Sequence, residues 1–423
     1  MAHAAERLPV TIDGRSYLIE TEGYSRTTVQ TLREQRDTSD EAGEQRLNTQ
    51  FWVRSQTDWS YGAGQEYFDN DDSDRRRFYT SSGIDPWTKG QVSLLPICED
   101  KGNTGNDVIM KVFTGSGTDY MYVANGQNLY FSTNFDTASP TWSQVSAGAS
   151  QDITDFTSDG TKVFISYGAA ANGRTTSIGS TTAPSETLSS TAFTFLKVVS
   201  GRLIDFHAGR IFEMDANGGV VSNSLDTTLT MGGVWSDVCA GPVGLYASAN
   251  TADTGSVYFI SVATDGTLNQ PAQVADMPRG ETINAMESYG GLLIMATSKG
   301  LRVAAMNQDG SVTYGPVIDN GGAAYSLATD DRFVWFGTSS GQVYRADLSV
   351  FTDTLVPAWA TDVVSTGSTP GNVTWVARVD GETFFVDAAN GVQGHAASGN
   401  RVASGTLTVG DVRWNSQFDK SLR

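Results

Sequence analysis

Apolar residues fall into short runs separated by polar turns, and after about residue 96 the runs recur. The clearest is found seven times: Tyr120-Met121-Tyr122-Val123, Lys162-Val163-Phe164-Ile165, Arg202-Leu203-Ile204-Asp205-Phe206, Val243-Gly244-Leu245-Tyr246, Leu292-Leu293-Ile294-Met295, Arg332-Phe333-Val334-Trp335-Phe336 and Glu382-Thr383-Phe384-Phe385-Val386. Met121, Val163, Leu203, Gly244, Leu292, Phe333 and Thr383 are spaced by 42, 40, 41, 48, 41 and 50 residues. A strand pattern precedes most runs, as in Val108–Phe113, Asp152–Thr157, Ile283–Glu287, Ala324–Ala328 and Val373–Arg378. A Gly or Asn-Gly turn and a third strand follow, as in Asn128–Ser132, Ile211–Met214, Val257–Val262, Leu301–Ala305 and Val343–Ala346. A looser fourth closes several units, such as Trp142–Val145 and Val312–Ile318. A four-stranded sheet this small cannot bury both faces alone, and stacking such sheets around a closed ring buries them all. Repeats of this length with four strands are the sequence signature of a β-propeller. The predicted fold is therefore all-β, a seven-bladed β-propeller with an extended, largely irregular N-terminal arm. A β-sandwich explains the strands but not their spacing.

A ring needs a latch. Val92–Leu95 and Arg401–Trp414 both read as strands, and a strand from before the first repeat, paired into the last blade, would close the circle. Charge density marks the boundary. Residues 1–96 hold 16 Asp+Glu and 11 Lys+Arg, 27 charged residues in all, whereas the other 327 hold 31 and 17, or 48. The expected division is a docking arm over 1–96, a propeller over 97–414 and a C-terminal tail over 415–423.

The arm shows no compact core. Val29 and Leu32 stand at helical spacing within Arg26–Gln50, but Gly43 and dense charge argue against a helix, and Ile12, Tyr17, Leu18 and Ile19 suit a short strand. An aromatic stretch follows: Phe51, Trp52, Trp59, Tyr61, Tyr67, Phe68, Phe78, Tyr79 and Trp87. Aromatic side chains on an irregular segment suit pockets on a partner, and Trp52, Trp59, Tyr61, Phe78 and Trp87 are the expected docking residues. The competing expectation is that they pack within their own chain.

Composition removes several classes. The formal charge is −19, far from the basic footprint of a nucleic-acid binder. Cys98 and Cys239 are the only cysteines and lie far apart, so neither a disulfide framework nor a zinc site is implied. MAHAAERLPV lacks the apolar core of a signal peptide, and no run of about 18 apolar residues is present. A soluble protein made in the cytoplasm, without membrane insertion and without a cofactor, is expected.

Candidate chemistry is thin. Gly337-Thr338-Ser339-Ser340-Gly341 matches a nucleophile elbow in letters, but that motif needs a strand-to-helix turn, and here strand patterns flank it on both sides. Ser132-Thr133-Asn134-Phe135-Asp136 with Ser139-Pro140-Thr141-Trp142 resembles a degenerate Asp-box of sialidase-like propellers, a structural hairpin, but lacks the central glycine. Glycoside hydrolysis needs two carboxylates across a cleft, and 47 acids single out no pair. His3, His207 and His395 fit no metal spacing. Asp69–Asp74 lacks the glycine and distal glutamate of a calcium loop, and Arg75-Arg76-Arg77 balances it. Asp159-Gly160, Asp265-Gly266, Asp309-Gly310, Asp380-Gly381 and Asn390-Gly391 read as tight turns, and Ala169–Ser190 as an insertion projecting from a blade.

Within the arm, Leu32-Arg33-Glu34-Gln35-Arg36-Asp37, Gly43-Glu44 before Leu47-Asn48, Arg54-Ser55-Gln56, Trp59, Gly62-Ala63-Gly64-Gln65, Arg77-Phe78 and Ser82-Gly83-Ile84-Asp85-Pro86-Trp87 together resemble the opening of minor tail proteins from long-tailed phages of actinobacteria. The similarity spans about residues 12–95; the repeats match only in style. It implies a structural, non-enzymatic virion component. The arm would dock on neighbouring tail proteins (tube, hub or tip), and the ring would be presented at the tail tip for host attachment. The rival expectation is a carbohydrate-binding or carbohydrate-active propeller, a glycoside hydrolase for example, touching host cell-wall glycan.

Overall fold

The computed structural model describes residues 6–12, 15–22, 26–31, 52–56, 58–69, 76–102, 109–145, 151–168, 171–184, 186–188, 195–207, 209–215, 217–229, 232–318, 322–366 and 369–413. Every regular element among them is a strand. Two compact units emerge: Leu95–Ser404, and Met1–Leu94 together with Gly405–Arg423.

The larger unit is a seven-bladed β-propeller. Blade 1 contains Ile109–Gly115, Thr118–Asn125, Asn128–Ser132 and Ser143–Val145. Blade 2 contains Asp155–Ser158, Lys162–Ser166, Arg174–Ser177 and Glu186–Thr187. Blade 3 follows with Phe195–Val199, Arg202–His207, Arg210–Met214 and Asp226–Thr228. Blade 4 is Val234–Ala240, Gly244–Asn250, Gly255–Ser261 and Ala272–Asp276. Blade 5 is Ile283–Tyr289, Leu292–Thr297, Gly300–Met306 and Val312–Tyr314. Blade 6 is Ala324–Asp330, Phe333–Thr338, Gln342–Asp353 and Val356–Val364. Blade 7 takes Val373–Val379, Glu382–Asp387 and Gly391–His395 from the chain end and Cys98–Asp100 from ahead of blade 1. All neighbouring strands within a blade are antiparallel, and tight turns join most of the inner ones. Asp380 (φ 48°) and Gly381 (φ 80°) form one such turn, a backbone path that asparagine, aspartate and glycine tolerate best.

Seven apolar clusters stand at the seven seams. Tyr122, Phe131, Phe156 and Ile165 join blades 1 and 2; Phe164, Leu196 and Phe212 join 2 and 3; Phe206, Trp235 and Leu245 join 3 and 4. Tyr246, Met286 and Met295 join 4 and 5; Ile294, Val334 and Phe336 join 5 and 6; Trp335, Val373 and Phe385 join 6 and 7; Met121, Val123, Phe384 and Val392 join 7 and 1. Alternate residues of each second strand thus face opposite neighbours, as a pleated strand dictates. Each large side chain so buried contributes roughly 1.5–3 kcal/mol of transfer free energy.

The closure differs in detail from the expected latch. The closing strand is Cys98–Asp100, with His395 opposite Cys98 and Gln393 opposite Asp100. Ser93–Leu94, within the expected strand, pairs instead with Ile84–Asp85. Of Arg401–Trp414, Thr406–Thr408 pairs antiparallel with Thr80–Ser82 and Asp411–Arg413 parallel with Tyr67–Asp69, all in the smaller unit. Ala169–Ser190 is not simply a projection: Arg174–Ser177 and Glu186–Thr187 supply the outer half of blade 2. Its Thr-Thr pair suits a strand better than its Ala, Gly and Ser content suggests.

The smaller unit has more regular structure than its sequence suggests. Glu6–Ile12, Arg15–Glu22, Arg26–Thr31 and Trp52–Gln56 form an antiparallel meander in that order. Val29 lies in a strand, opposite Ile19. The quoted motifs between Leu32 and Asn48, with Phe51, His3 and the tail over 415–423, lie outside the described residues, as does most of Asp69–Asp74.

Candidate functional site

The expected docking aromatics have separate fates. Trp52 opens the fourth strand of the meander. Phe78 is fully buried (0% exposed) and Trp87 nearly so (6%). Neither offers surface to a partner, so the docking expectation is corrected for both. Trp59 is half-buried, its ring edge-on to Phe78 at 6.3 Å. The Arg76 guanidinium lies over the half-buried Tyr61 ring, 3.3 Å from its centroid. Around them, Gln56 Nε2 donates to the Arg77 carbonyl (2.7 Å), and the Arg77 guanidinium donates to Gln65 Oε1 (2.8 Å) and the Ala63 carbonyl (3.1 Å). Tyr67 (44%) and Tyr79 (41%) are exposed aromatics of this unit.

In the propeller, charged residues interrupt the apolar first strands of the blades. These strands neighbour one another around the ring and line its axis. Lys111 of blade 1 donates to Asp155 of blade 2 at 2.6 Å, and its ammonium lies 5.2 Å from the Trp375 ring of blade 7 and 5.4 Å from the Phe195 ring of blade 3. Lys197 of blade 3 donates to Asp237 of blade 4 at 2.9 Å and to the Met286 carbonyl of blade 5 at 3.3 Å, with Glu287 at 3.9 Å. Arg378 of blade 7 meets Asp330 of blade 6 at 3.3 Å. The second oxygens of Asp155 and Asp237 accept the backbone N–H of Leu196 and Met286 in the next blade (3.1 and 2.7 Å). Asn284 reaches the Ala324 carbonyl at 2.7 Å, and Trp142 Nε1 reaches the Lys101 carbonyl at 2.8 Å. Every seam therefore carries a polar link as well as an apolar cluster. Sequence reasoning missed this set; its signal is a charge set into an apolar first strand, as in Ile109-Met110-Lys111-Val112 and Phe195-Leu196-Lys197-Val198.

Burial and neighbouring charges shift several of these groups. Burial works against the Lys197 ammonium, but Asp237 and Glu287 outweigh it and hold the proton more firmly than in an ordinary lysine. Burial raises Asp155 despite Lys111, and burial with Asp237 nearby raises Glu287. Burial pushes the Cys98 thiol up to about 12 and raises Cys239 further, far from a nucleophilic thiolate.

The remaining sequence motifs serve local structure. Ser339–Gly341 is the hairpin between two strands of blade 6. In the Asp-box-like loop, Asn134 Oδ1 accepts from Ser132 Oγ (2.9 Å) and from the Thr141 N–H (3.0 Å), while Phe135 packs on Phe384 of blade 7 at 5.2 Å. A cavity of about 230 Å³ between blades 2 and 3 is lined in part by Asp159, Arg202, Glu213 and Asp215. Its charges are already engaged: Arg202 bonds Glu213 at 2.6 Å, and Asp159 and Asp215 accept backbone N–H groups of their own turns. Among the described residues, no group of three or more His, Cys, Asp or Glu side chains is placed to hold a metal ion.

No protein-family model and no curated protein matches the chain. Solved structures resemble it in shape. A catalytically inactive variant of virginiamycin B lyase from Staphylococcus aureus, solved with quinupristin, aligns over 70% of this chain and 98% of its own with a TM-score of 0.52 and 11% identity. The computationally designed protein Ika8 aligns over 93% and 97% with a TM-score of 0.44 and 9% identity. The lyase shares the fold, and at that identity nothing further carries over.

Proposed function

We propose that the chain is a structural minor tail protein of a phage virion, in which the smaller unit docks on neighbouring tail proteins and the propeller is the rigid body it presents. The observation that carries this reading is the way the smaller unit is woven. Tyr67–Asp69 pairs with Asp411–Arg413, and Thr80–Ser82 with Thr406–Thr408, so segments from both sides of the ring in sequence form one module. Both ends of the ring's chain thus enter the same module, giving two covalent connections where a single linker would give one. The charges at the axis are paired across the seams, with Asp155 and Asp237 buried, which supports a mechanical rather than a catalytic role. The tail assignment itself rests on the resemblance of residues 12–95. The exposed Tyr67 and Tyr79 replace Phe78 and Trp87 as the aromatic contacts this reading uses.

The test is immunogold electron microscopy of virions with an antibody raised against the propeller. Label at one end of the tail is expected. Particles that carry none of the protein would overturn the assignment, and binding of the purified chain to cell-wall polysaccharide in that case would favour the glycan-directed alternative.

A further inference from the structure

The strand that closes the ring is short, and a histidine sits against it. Cys98–Asp100 pairs only with Gly391–His395 in blade 7, and His395 stands opposite Cys98. His395 is 9% exposed, and its Nε2 has no hydrogen-bond partner. Charged groups face it from each side: Asp362 and Arg345 from blade 6, Arg378 from the first strand of blade 7, Arg401 from the following segment, with the Cys98 thiol across the pair. The one carboxylate is already committed. Asp362 meets Arg345 at 3.0 Å and accepts from Trp335 Nε1 at 2.7 Å. The Arg378 and Arg345 guanidiniums lie 4.6 and 5.7 Å from the same Trp335 ring. An imidazolium here would be a buried cation beside three guanidiniums, with Asp362 the one carboxylate acting on it.

We propose that His395 makes the ring closure acid-sensitive: taking up a proton there loosens Cys98–Asp100 from blade 7. Burial depresses the proton affinity of the imidazole most; Asp362 opposes this, Arg378, Arg345 and Arg401 add to it, and the group comes to rest at about 4 against an ordinary 6.5. Once the seam opens, water restores the ordinary affinity. The open form therefore binds the proton better, and the stability present above the ordinary value is lost as pH falls toward 4. Between pH 7 and pH 5 the opening equilibrium shifts by about twentyfold.

Hydrogen exchange of the full chain, corrected for intrinsic rates, reads this shift directly. Amides of 99–101 and 393–395 are expected to lose protection about twentyfold between pH 7 and pH 5, beyond any change in blades 3 and 4, and to stay nearly constant in His395→Gln. An equal loss in the variant, or a wild-type loss spread evenly over the blades, would overturn the proposal. If His395→Gln does not fold, an NMR titration of the wild-type imidazole decides. A midpoint well below 5 supports the clasp, and one near the ordinary histidine value sinks it.

Discussion

Asp205 sits in the second strand of blade 3 with none of its surface exposed and neither carboxylate oxygen hydrogen-bonded to another side chain. Its cross-strand partners are Leu196 and Phe212. Burial raises its pKa to about 8, opposed by the Phe206 N–H and by Arg210, so at neutral pH it is held as the acid. The sign follows from the two end states. Below about pH 4 folded and unfolded chains both hold the proton; between there and pH 8 only the folded chain does, so stability falls as pH rises and then levels off. Replacing Asp205 by Asn removes that slope. Urea unfolding at pH 5 and pH 9 should show the wild type losing about 4 kcal/mol more than Asp205→Asn over the interval, and parallel profiles would refute the assignment. In the sequence Asp205 reads only as a polar letter inside an apolar run. The run was legible, but nothing in it tells a solvated aspartate from a buried one.

The second strands of the blades were legible because each is buried on both faces and reads as a continuous apolar run, as in Leu293-Ile294-Met295-Ala296, all at 0% exposure. The outer strands of blades 1 and 5 were legible too, but those of blades 2 and 3 were not. Glu186–Thr187 and Asp226–Thr228 are two and three residues long and polar, so no periodicity marks them. The closing strand, Cys98-Glu99-Asp100, has one apolar residue, which is why the more apolar Val92–Leu95 drew the expectation. What fixes Cys98–Asp100 is tertiary. Lys101, fully buried, donates to Glu99 at 2.8 Å and to the Thr137 carbonyl of the blade 1 loop at 3.1 Å, and its carbonyl accepts from Trp142. Lys101→Met keeps the apolar stem against Phe384 but removes the donors, leaving the Thr137 carbonyl and Glu99 without them. A loss of about 2 kcal/mol in unfolding free energy is expected; a variant as stable as wild type would show that the strand ladder alone holds the closure.

At the scale of the whole molecule the two units ask different things of the sequence. Repeat spacing revealed the ring because seven similar units make the same signal seven times, whereas the smaller unit is assembled once, from segments more than three hundred residues apart, such as Thr80–Ser82 and Thr406–Thr408. Nothing local announces such a pairing, and two of the docking residues expected from aromatic content were misjudged for the same reason: Phe78 and Trp87 are buried in a module whose last strands follow the propeller in sequence. The division has a consequence for stability. Leu95–Ser404 contains all seven blades with the closing strand in place. Stripped of the smaller unit, that segment should still melt cooperatively, because its seven apolar clusters and the polar links across its seams are all internal. Starting the chain at Gly102 instead leaves blade 7 with three strands and exposes the edge of Gly391–His395, an unpaired row of donors and acceptors. Circular dichroism should place its melting temperature at least about 5 °C below that of Leu95–Ser404, given that a few kcal/mol move a domain of this size by several degrees. Equal melting temperatures would mean that packing against blades 1 and 6, rather than strand closure, keeps the ring shut.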